Sequence, residues 1–310
     1  MANAVLTVRG VSKAYGTIQA LRDVNLEVPS GGIFGIVGPN GAGKTTLFSI
    51  LCGFLGADAG EVLVGGQAVR PNHPPPGGML TILPQDAKFL PSTPLGKQLK
   101  FYAELAGMSP REAEKDVHRV LEMVGLPEVY GRTGGTLSHG MYKRVGIAQA
   151  FLGNPKVIIL DEPTAGLDPH AAREIHEQLR SMRADQTVIV SSHNLSEIED
   201  LCNAVAILKQ GTVVRVSTMD SLLQGATEVS FRLPDPAPDD LLAALNALPY
   251  VTGARWDKGA GRLRIDVDVS AMPADEAGGE LVKFFVGRGV KFMDMQVGAN
   301  LEERFIRETR

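Results

Sequence analysis

The hydrophobic pattern of the first 65 residues predicts short strands and one helix. Four apolar runs, interrupted by glycine and proline, lie at residues 4–11, 25–29, 31–38 and 61–66. Short runs rich in β-branched residues and bounded by such breakers are typical of strands. Residues 46–54, TLFSILCGF, favour a helix instead. The pattern therefore predicts a mixed sheet that feeds a loop over residues 38–45 and a helix after it.

From residue 94 to residue 152 the pattern takes a helical period. Two apolar stripes are visible, and their members are Leu95, Leu99 and Tyr102 in the first and Val117, Val120, Leu121 and Val124 in the second. Apolar positions three and four residues apart are typical of helices that pack on a core. We assign these stripes to the core and no chemistry to them. The stretch predicts a helical subdomain over about 86–152.

Two apolar runs without alternation follow, KVIILDEP at 156–163 and TVIVSSHN at 187–194. Continuous β-branched runs are typical of parallel strands that are covered on both faces. Residues 170–183 between them predict a crossover helix, and residues 204–216 predict a hairpin that closes the domain. Together with the earlier elements, these runs predict an α/β domain over residues 1–225.

Beyond residue 225 a second, smaller domain is predicted. The pattern indicates a strand, a helix, two strands, a helix and a strand, with helices at 239–248 and 279–289 and the last strand at 291–297. A final helix is predicted at 301–308. This β-α-β-β-α-β order is typical of small α+β domains, so residues 226–310 are predicted to form an accessory domain with a regulatory or dimerising role.

The segment 70–78, RPNHPPPGG, is predicted to be an exposed loop. Proline has no backbone N–H group and a fixed φ, so this run can form neither a helix nor a central strand.

Composition and charge narrow the classes of function. The 310 residues contain 31 Lys and Arg against 35 Asp and Glu, for a net charge of -4. Because no long block of like charge is present, we expect no nucleic-acid partner. Cys52 and Cys202 show no metal-ligand spacing, which favours buried free thiols in a reducing cytoplasm. No stretch approaches the roughly 18 apolar residues of a membrane span, so at a membrane another chain would have to cross it.

The first candidate for chemistry is the loop GPNGAGKT at 38–45, which fits G-x-x-x-x-G-K-[ST] between a strand and a helix. Such loops wrap backbone N–H groups around phosphates, and the helix N-terminus adds a favourable dipole. Lys44 should reach the β- and γ-phosphates, and Thr45 should hold Mg²⁺. The residues predicted to bind the nucleotide here are Gly38, Pro39, Asn40, Gly41, Ala42, Gly43, Lys44, Thr45 and Thr46.

Polar residues also follow the two predicted parallel strands. VIILDEP places Asp161 and Glu162 at the end of one strand, and His193 follows the other. Asp161 would serve the metal, usually through water, while Glu162 would be the general base that polarises the attacking water. A polar residue such as His193 at a strand end would face a γ-phosphate bound at the neighbouring loop. Such residues are common after strands, so these assignments depend on the presence of the phosphate loop in the same chain.

The stretch TLSHGMYKRV at 136–145 has the features of a helix start. Ser138 is a suitable N-cap, and Gly140 allows close backbone approach, so the stretch could present hydrogen-bond donors to an anion. The residues by themselves do not identify that anion.

In this order, the motifs resemble those of the nucleotide-binding subunit of an ABC transporter, and the resemblance covers residues 4 to about 220. It implies an α/β fold, a P-loop NTPase domain of the ABC type. AYG implies that Tyr15 stacks on adenine, and ILPQD implies that Gln85 is the glutamine that senses the metal and the membrane partner. AGLDP implies that Asp168 lies in the loop that crosses a dimer, and SSH implies that His193 is the γ-phosphate switch.

TLSHGM stands where the family's signature motif belongs. In the family's dimer, the signature helix of one subunit faces the γ-phosphate on the other, which implies that Ser138 and Gly140 contact the partner's ATP. The usual LSGGQ has glycine and glutamine where this chain has His139 and Met141. We expect a working but retuned site; an ATP-binding subunit that hydrolyses poorly is the alternative. The partner would be a second copy, forming a homodimer, or a paralogous nucleotide-binding subunit.

The resemblance implies an ATPase that uses ATP and Mg²⁺ to energise a separate polytopic permease, from the cytoplasmic, inner face of the cytoplasmic membrane. The segment NLEERFIRETR at 300–310 resembles the LEDVFL-type helix of bacterial drug and polysaccharide exporters, which favours export. Three alternatives remain: an importer subunit, a soluble ABC-type ATPase acting on ribosomes or DNA, and a non-enzymatic regulatory module. The C-terminal segment mixes helices with strands, whereas importer subunits with extra C-terminal regions usually carry β-rich barrels. Translation-type members normally fuse two nucleotide domains, and repair or chromosome-type members insert long coiled coils; the sequence shows neither feature.

Overall fold

The computed structural model describes residues 4–71, 73, 75, 78–181, 186–219, 228–268 and 270–297. The chain divides into two compact units, Met1–Ser217 and Thr218–Arg310. The sequence placed the corresponding boundary near residue 225. Each unit has a hydrophobic core of its own.

The first unit contains two sheets and a set of helices. Its strands are β1 (Ala4–Tyr15), β2 (Ile18–Pro29), β3 (Gly32–Val37), β4 (Ala59–Val64), β5 (Gln67–Ala68), β6 (Leu80–Leu83), β7 (Val157–Asp161), β8 (Thr187–Ser192), β9 (Ala204–Lys209) and β10 (Thr212–Thr218). Its helices are α1 (Lys44–Leu51), α2 (Leu95–Leu105), α3 (Pro110–Met123), α4 (His139–Ala150), α5 (Pro169–Arg180) and α6 (Leu195–Leu201).

A four-stranded sheet has the order β2-β1-β4-β5, and its neighbouring strands pair antiparallel. A six-stranded sheet has the order β10-β9-β3-β8-β7-β6, in which β9, β3, β8, β7 and β6 are parallel. Every residue of β7 and β8 is buried, as expected for parallel strands covered on both faces. The α/β fold class predicted from the sequence is confirmed.

The register of the parallel strands positions the polar residues. Asp161 at the end of β7 lies opposite Ser191 near the end of β8, and Val37 at the end of β3 lies opposite Ser192. The carboxyl ends of parallel strands meet at one edge of a sheet, where ligands commonly bind in such folds. The loop after β3 therefore opens at the same edge as Asp161.

The helical part of the first unit packs through the stripes predicted from the sequence. Leu95 and Leu99 of α2 are fully buried, and the predicted stripe of α3 and the residue after it is buried as well. Tyr102 is only partly buried. The start of α3 is fixed by a capping box, in which Ser109 and Glu112 each satisfy the other's backbone N–H group.

The second unit follows the β-α-β-β-α-β order predicted from the sequence. Its elements are β11 (Glu228–Arg232), α7 (Asp239–Asn246), β12 (Val251–Asp257), β13 (Arg262–Val267), α8 (Ala274–Gly287) and β14 (Asp294–Val297). The antiparallel sheet has the order β12-β13-β11-β14. Phe231 of β11 meets Phe285 of α8 edge-on at 4.4 Å between ring centroids. The helix predicted at 301–308 lies outside the described residues.

Several predicted bounds were wrong. Helix α1 begins at Lys44 rather than Thr46, because Gly43 takes a φ of 106° and ends the loop there. Strand β6 was missed, since a four-residue run after two glycines carries little pattern of its own. The proline-rich run 70–78, predicted to be an exposed loop, forms no helix or strand where the structure describes it. Arg70 and His73 are exposed and form an isolated bridge, while residues 72, 74, 76 and 77 lie outside the described residues.

The two cysteines are buried free thiols, as predicted. Burial raises the pKa of both Cys52 and Cys202 to about 12, so neither is a reactive thiolate near neutral pH. Within the described parts of the chain, we find no helix with the length and apolar character needed to cross a membrane.

Candidate functional site

Two glycines of the loop between β3 and α1 have no room for a side chain. A Cβ atom on Gly38 would lie 2.3 Å from the carbonyl oxygen of Leu208, and one on Gly43 would lie 2.7 Å from that of Ala20. Gly43 is also the N-cap of α1 and makes no side-chain cap hydrogen bond. The tight loop and the uncapped helix start together form an anion-binding geometry.

Lys44 begins α1 and folds back over this loop. Its ammonium donates to the carbonyl oxygens of Gly38 at 2.7 Å and Pro39 at 3.4 Å. It also lies 3.8 Å from Oε1 of Glu162, although only 6% of its side chain is exposed. A buried ammonium needs such partners, and here the loop carbonyls hold it at the mouth of the phosphate loop.

Asp161 lies between two hydroxyl groups. Thr45 Oγ1 donates to Asp161 Oδ2 at 3.4 Å, and Ser191 Oγ donates to Asp161 Oδ1 at 2.5 Å. Burial raises the pKa of Asp161, and the hydrogen bond from Ser191 opposes that shift.

The oxygen groups of Thr45 and Asp161 fit Mg²⁺. This ion favours hard oxygen ligands and usually takes only one or two carboxylates besides water and substrate phosphates. Among the residues described, no group of three or more acidic, histidine or cysteine side chains has metal-binding geometry. Such a sparse donor set suits an ion that is bound together with a phosphate ligand.

Glu162 is the centre of the polar cluster. Its φ is 49°, in the left-handed region that a non-glycine residue rarely adopts, and its N–H donates to Ser191 Oγ at 2.9 Å. Gln85 Nε2 donates to Glu162 Oε2 at 3.3 Å, and His193 Nδ1 lies 3.4 Å from Oε1. The carboxylate is nearly buried, whereas 58% of the His193 side chain is exposed. The fold thus brings together Lys44, Gln85, Glu162 and His193.

Tyr15 ends β1 with half of its surface exposed. Asp58 holds the backbone just before it: Oδ2 accepts from the Ala14 N–H at 2.7 Å, and Oδ1 accepts from Lys13 Nζ at 2.7 Å. The hydrogen bond from Lys13, and then that from Ala14, keep the pKa of Asp58 below its ordinary value. Lys13 Nζ lies 6.0 Å from the centroid of the Tyr15 ring.

Ser138 and Asp168 act as N-caps of their own helices. Ser138 Oγ accepts from the Met141 N–H at 3.3 Å, and Asp168 Oδ1 accepts from the N–H groups of His170 and Ala171 at 3.0 Å each. These bonds, that to Ala171 first, hold the pKa of Asp168 below its usual range. No described hydrogen bond or ion pair joins either side chain to the phosphate loop of the same chain.

Among the residues that the structure describes, none lies close enough to Gly140 to exclude a side chain there. A Cβ atom there would lie 3.7 Å from Cβ of Ala171, which is ordinary contact. The described packing around α4 therefore leaves room for a larger residue at position 140.

Three residues of this region were not singled out from the sequence. Ser191 joins Asp161 to Glu162, Asp58 holds the approach to Tyr15, and Glu197 of α6 accepts hydrogen bonds from residues beside Glu162 and His193. The serine stands inside the SSH motif, but its partners appear only through the pairing of β7 with β8. The two carboxylates carry no motif signal.

The sequence and the fold both resemble known ATP-binding proteins. A family model described as "ABC transporter" matches residues 21–165, and one described as an AAA domain, putative AbiEii toxin, matches residues 135–199. The linearmycin resistance ATP-binding protein of Bacillus subtilis is 30% identical over 98% of this chain and 98% of its own length. The Nod factor export ATP-binding protein I of Bradyrhizobium diazoefficiens is 32% identical over 72% of this chain and 73% of its own.

Solved structures show the same fold. A protein from Clostridium perfringens, described as part of an ABC transporter complex, superposes with a TM-score of 0.64 at 26% identity, over 80% of this chain and 96% of that one. A dimeric ATP-binding cassette bound to ADP and Pi has a TM-score of 0.62 at 26% identity, over 69% of this chain and 98% of that one.

Proposed function

The chain belongs to the ABC transporter family of ATP-binding subunits, and on that premise we propose that it hydrolyses ATP to energise a separate membrane permease. The observation that carries the proposal is that three polar side chains surround the carboxylate of Glu162. Glu162 lies 3.3 Å from Gln85 Nε2, 3.4 Å from His193 Nδ1 and 3.8 Å from Lys44 Nζ, at the carboxyl end of parallel strands.

We assign the roles in hydrolysis by position. Glu162 takes the proton of the attacking water as general base, and Gln85 and His193 orient the reacting γ-phosphate and that water. Lys44 and the backbone of residues 38–46 bind the phosphates, and Tyr15 stacks on the adenine. Mg²⁺, when bound by Thr45 and Asp161 with Gln85 beside it, supplies charge neutralisation at the phosphates.

The remaining site residues are assigned to the partner's nucleotide. No described hydrogen bond or ion pair joins Ser138 or Asp168 to the phosphate loop of the same chain, and a Cβ atom at position 140 would make an ordinary contact with Ala171. In a head-to-tail dimer, the start of α4 would face the γ-phosphate on the other subunit. The likeness to a dimeric cassette supports this arrangement. The partner is a second copy or a paralogous subunit.

Export is the proposed direction of transport, and the inner face of the cytoplasmic membrane is the proposed location. The names of two relatives, linearmycin resistance and Nod factor export, support export. Affinity purification of the tagged chain from detergent-solubilised native membranes, followed by mass spectrometry, tests this. Recovery of a polytopic permease of the efflux type supports the proposal. Recovery of an importer permease would instead favour an importer subunit, and recovery of ribosomes or DNA-associated proteins would favour a soluble ABC-type ATPase.

Turnover itself is tested by phosphate release from MgATP with the purified full-length chain. We expect saturable hydrolysis. Tight ATP binding without phosphate release at saturating MgATP would instead favour a regulatory nucleotide-binding module, or a subunit whose His139 and Met141 disable the composite site.

We expect Asp58→Ala to weaken ATP binding by about three- to tenfold with little change in kcat. Base–aromatic stacking contributes roughly 1–3 kcal/mol, and part of it is lost when Ala14 and Lys13 no longer hold Tyr15 in place. Titration with a fluorescent ATP analogue, alongside steady-state kinetics, measures both quantities. Glu61→Ala is the matched control, because Glu61 forms an exposed ion pair with Arg9 in the same sheet at 3.1 Å. Equal effects of the two variants would contradict the role of Asp58.

A further inference from the structure

Glu197 joins two segments of the site through one oxygen atom. Its Oε2 accepts a hydrogen bond from Thr164 Oγ1 at 3.0 Å and another from Ser192 Oγ at 3.0 Å. The two donors are buried, with 7% of Thr164 and 5% of Ser192 exposed. Hydrogen bonds to an ionised acceptor are about twice as strong as those between neutral groups, so this carboxylate holds both hydroxyl groups firmly.

The two donors to Glu197 lie close in sequence to Glu162 and His193. Thr164 lies two residues after Glu162, and Ser192 directly precedes His193. Ser192 Oγ also accepts the N–H of Asn194 at 2.9 Å, so hydrogen bonds hold the chain on both sides of His193. Glu197 therefore ties the segment that carries Glu162 to the strand end that carries His193.

A second connection reaches Glu162 from the neighbouring residue of the same strand. Ser191 Oγ accepts the Glu162 N–H at 2.9 Å and donates to Asp161. Successive side chains of a strand point to opposite faces, so Ser191 contacts Asp161 and Glu162 directly, whereas Ser192 is connected to Thr164 through Glu197. The Ser191 bond places the Glu162 backbone, while the Glu197 bonds connect Thr164 of the following turn to Ser192, next to His193.

We propose that Glu197 is a positioning residue for hydrolysis, which keeps the Glu162 carboxylate at its 3.4 Å distance from His193. The inference rests on the proposed ATPase function. No described hydrogen bond or ion pair joins Glu197 to Lys44, Thr45 or the phosphate loop, so it acts on the chemical step and not on nucleotide binding. Displacement of a catalytic group by about 1 Å can cost about 100-fold in rate.

The test compares Glu197→Ala with Glu197→Gln in the full-length chain. The alanine variant removes the acceptor, and we expect kcat for ATP to fall by about 10- to 30-fold while the dissociation constant for ATP stays within about twofold. The glutamine variant keeps an oxygen that accepts both hydroxyls, so we expect its kcat within about threefold of the unaltered protein. A loss of stability alone would not separate kcat from ATP affinity in this way.

Glu114→Ala is the structural control, because Glu114 also accepts two side-chain hydrogen bonds, from Lys100 at 2.6 Å and Tyr130 at 2.5 Å. We expect it to lower the melting temperature without a comparable loss of kcat. Thr164→Val alone should lower kcat. It should have little further effect when added to Glu197→Ala, since both changes remove the hydrogen bond between Thr164 and Glu197.

The outcomes separate the inference from the function on which it rests. Unaltered protein without ATP turnover overturns the proposed function and the role of Glu197 with it. Normal turnover in both the unaltered protein and Glu197→Ala overturns only the role of Glu197. A kcat that falls in proportion to melting temperature, equally for Glu114→Ala and Glu197→Ala, assigns Glu197 to stability and also overturns the inference.

Discussion

Glu162→Gln is expected to lower ATP turnover by about 100- to 10,000-fold, the range that a positioned general base contributes, while ATP binding is retained. The amide matches the carboxylate in shape and can still meet Gln85 and His193, but it cannot take a proton from water. The left-handed backbone at this residue is held by the Ser191 hydroxyl rather than by the side chain, so the substitution leaves the turn intact.

Phosphate release measures the loss of turnover, and a fluorescent ATP analogue measures binding. Because binding continues without hydrolysis, the variant should also accumulate as an ATP-bound dimer, which light scattering after size-exclusion chromatography detects. Glu61→Gln provides the control, since it makes the same chemical change at an exposed ion pair with Arg9. Unchanged turnover in Glu162→Gln would assign the base to another group.

Lys44→Ala is expected to weaken ATP binding by about 100-fold or more. Each hydrogen bond to a charged group contributes about 1.5–3 kcal/mol, and a lysine that reaches both the β- and γ-phosphates supplies at least two, against 1.4 kcal/mol for each tenfold in affinity. The ammonium is already held at the loop by the carbonyl oxygens of Gly38 and Pro39, so it needs little reorganisation to meet a phosphate.

Titration calorimetry with MgATP, or with the non-hydrolysable analogue, gives the dissociation constant directly. Lys283→Ala is a suitable control, because Lys283 is an exposed lysine that pairs with Glu280 at 2.7 Å. Melting of both variants without nucleotide shows whether the fold persists. A folded Lys44→Ala protein with unaltered affinity would contradict the assignment of the phosphate site.

Glu162→Gln and Lys44→Ala separate ATP binding from the chemical step. Glu162→Gln removes proton transfer and leaves the phosphate contacts, whereas Lys44→Ala removes a phosphate contact and leaves Glu162 in place. If Glu162→Gln also abolished ATP binding, the 3.8 Å contact between Lys44 and Glu162 would have to be essential for holding the lysine.

Local pattern was sufficient for most of the elements. Strands β7 and β8 are continuous apolar runs because both of their faces are covered, and the stripes of α2 and α3 repeat every three or four residues because one face is buried. Bounds were harder to predict. The start of α1 depends on the φ of Gly43, and β6 forms because β7 pairs with it. Neither feature is visible in the hydropathy of its own residues.

The sequence by itself determined the α/β class, the phosphate loop and the candidates Lys44, Asp161, Glu162 and His193, because these depend on residue type and spacing within short segments. Only the tertiary structure decided which side chains hold them. Ser191 meets Asp161 through strand register, and Asp58 and Glu197 reach Ala14 and Thr164 across more than 30 positions of chain. A hydrogen bond between distant segments requires both to be folded, so no local pattern carries its signal.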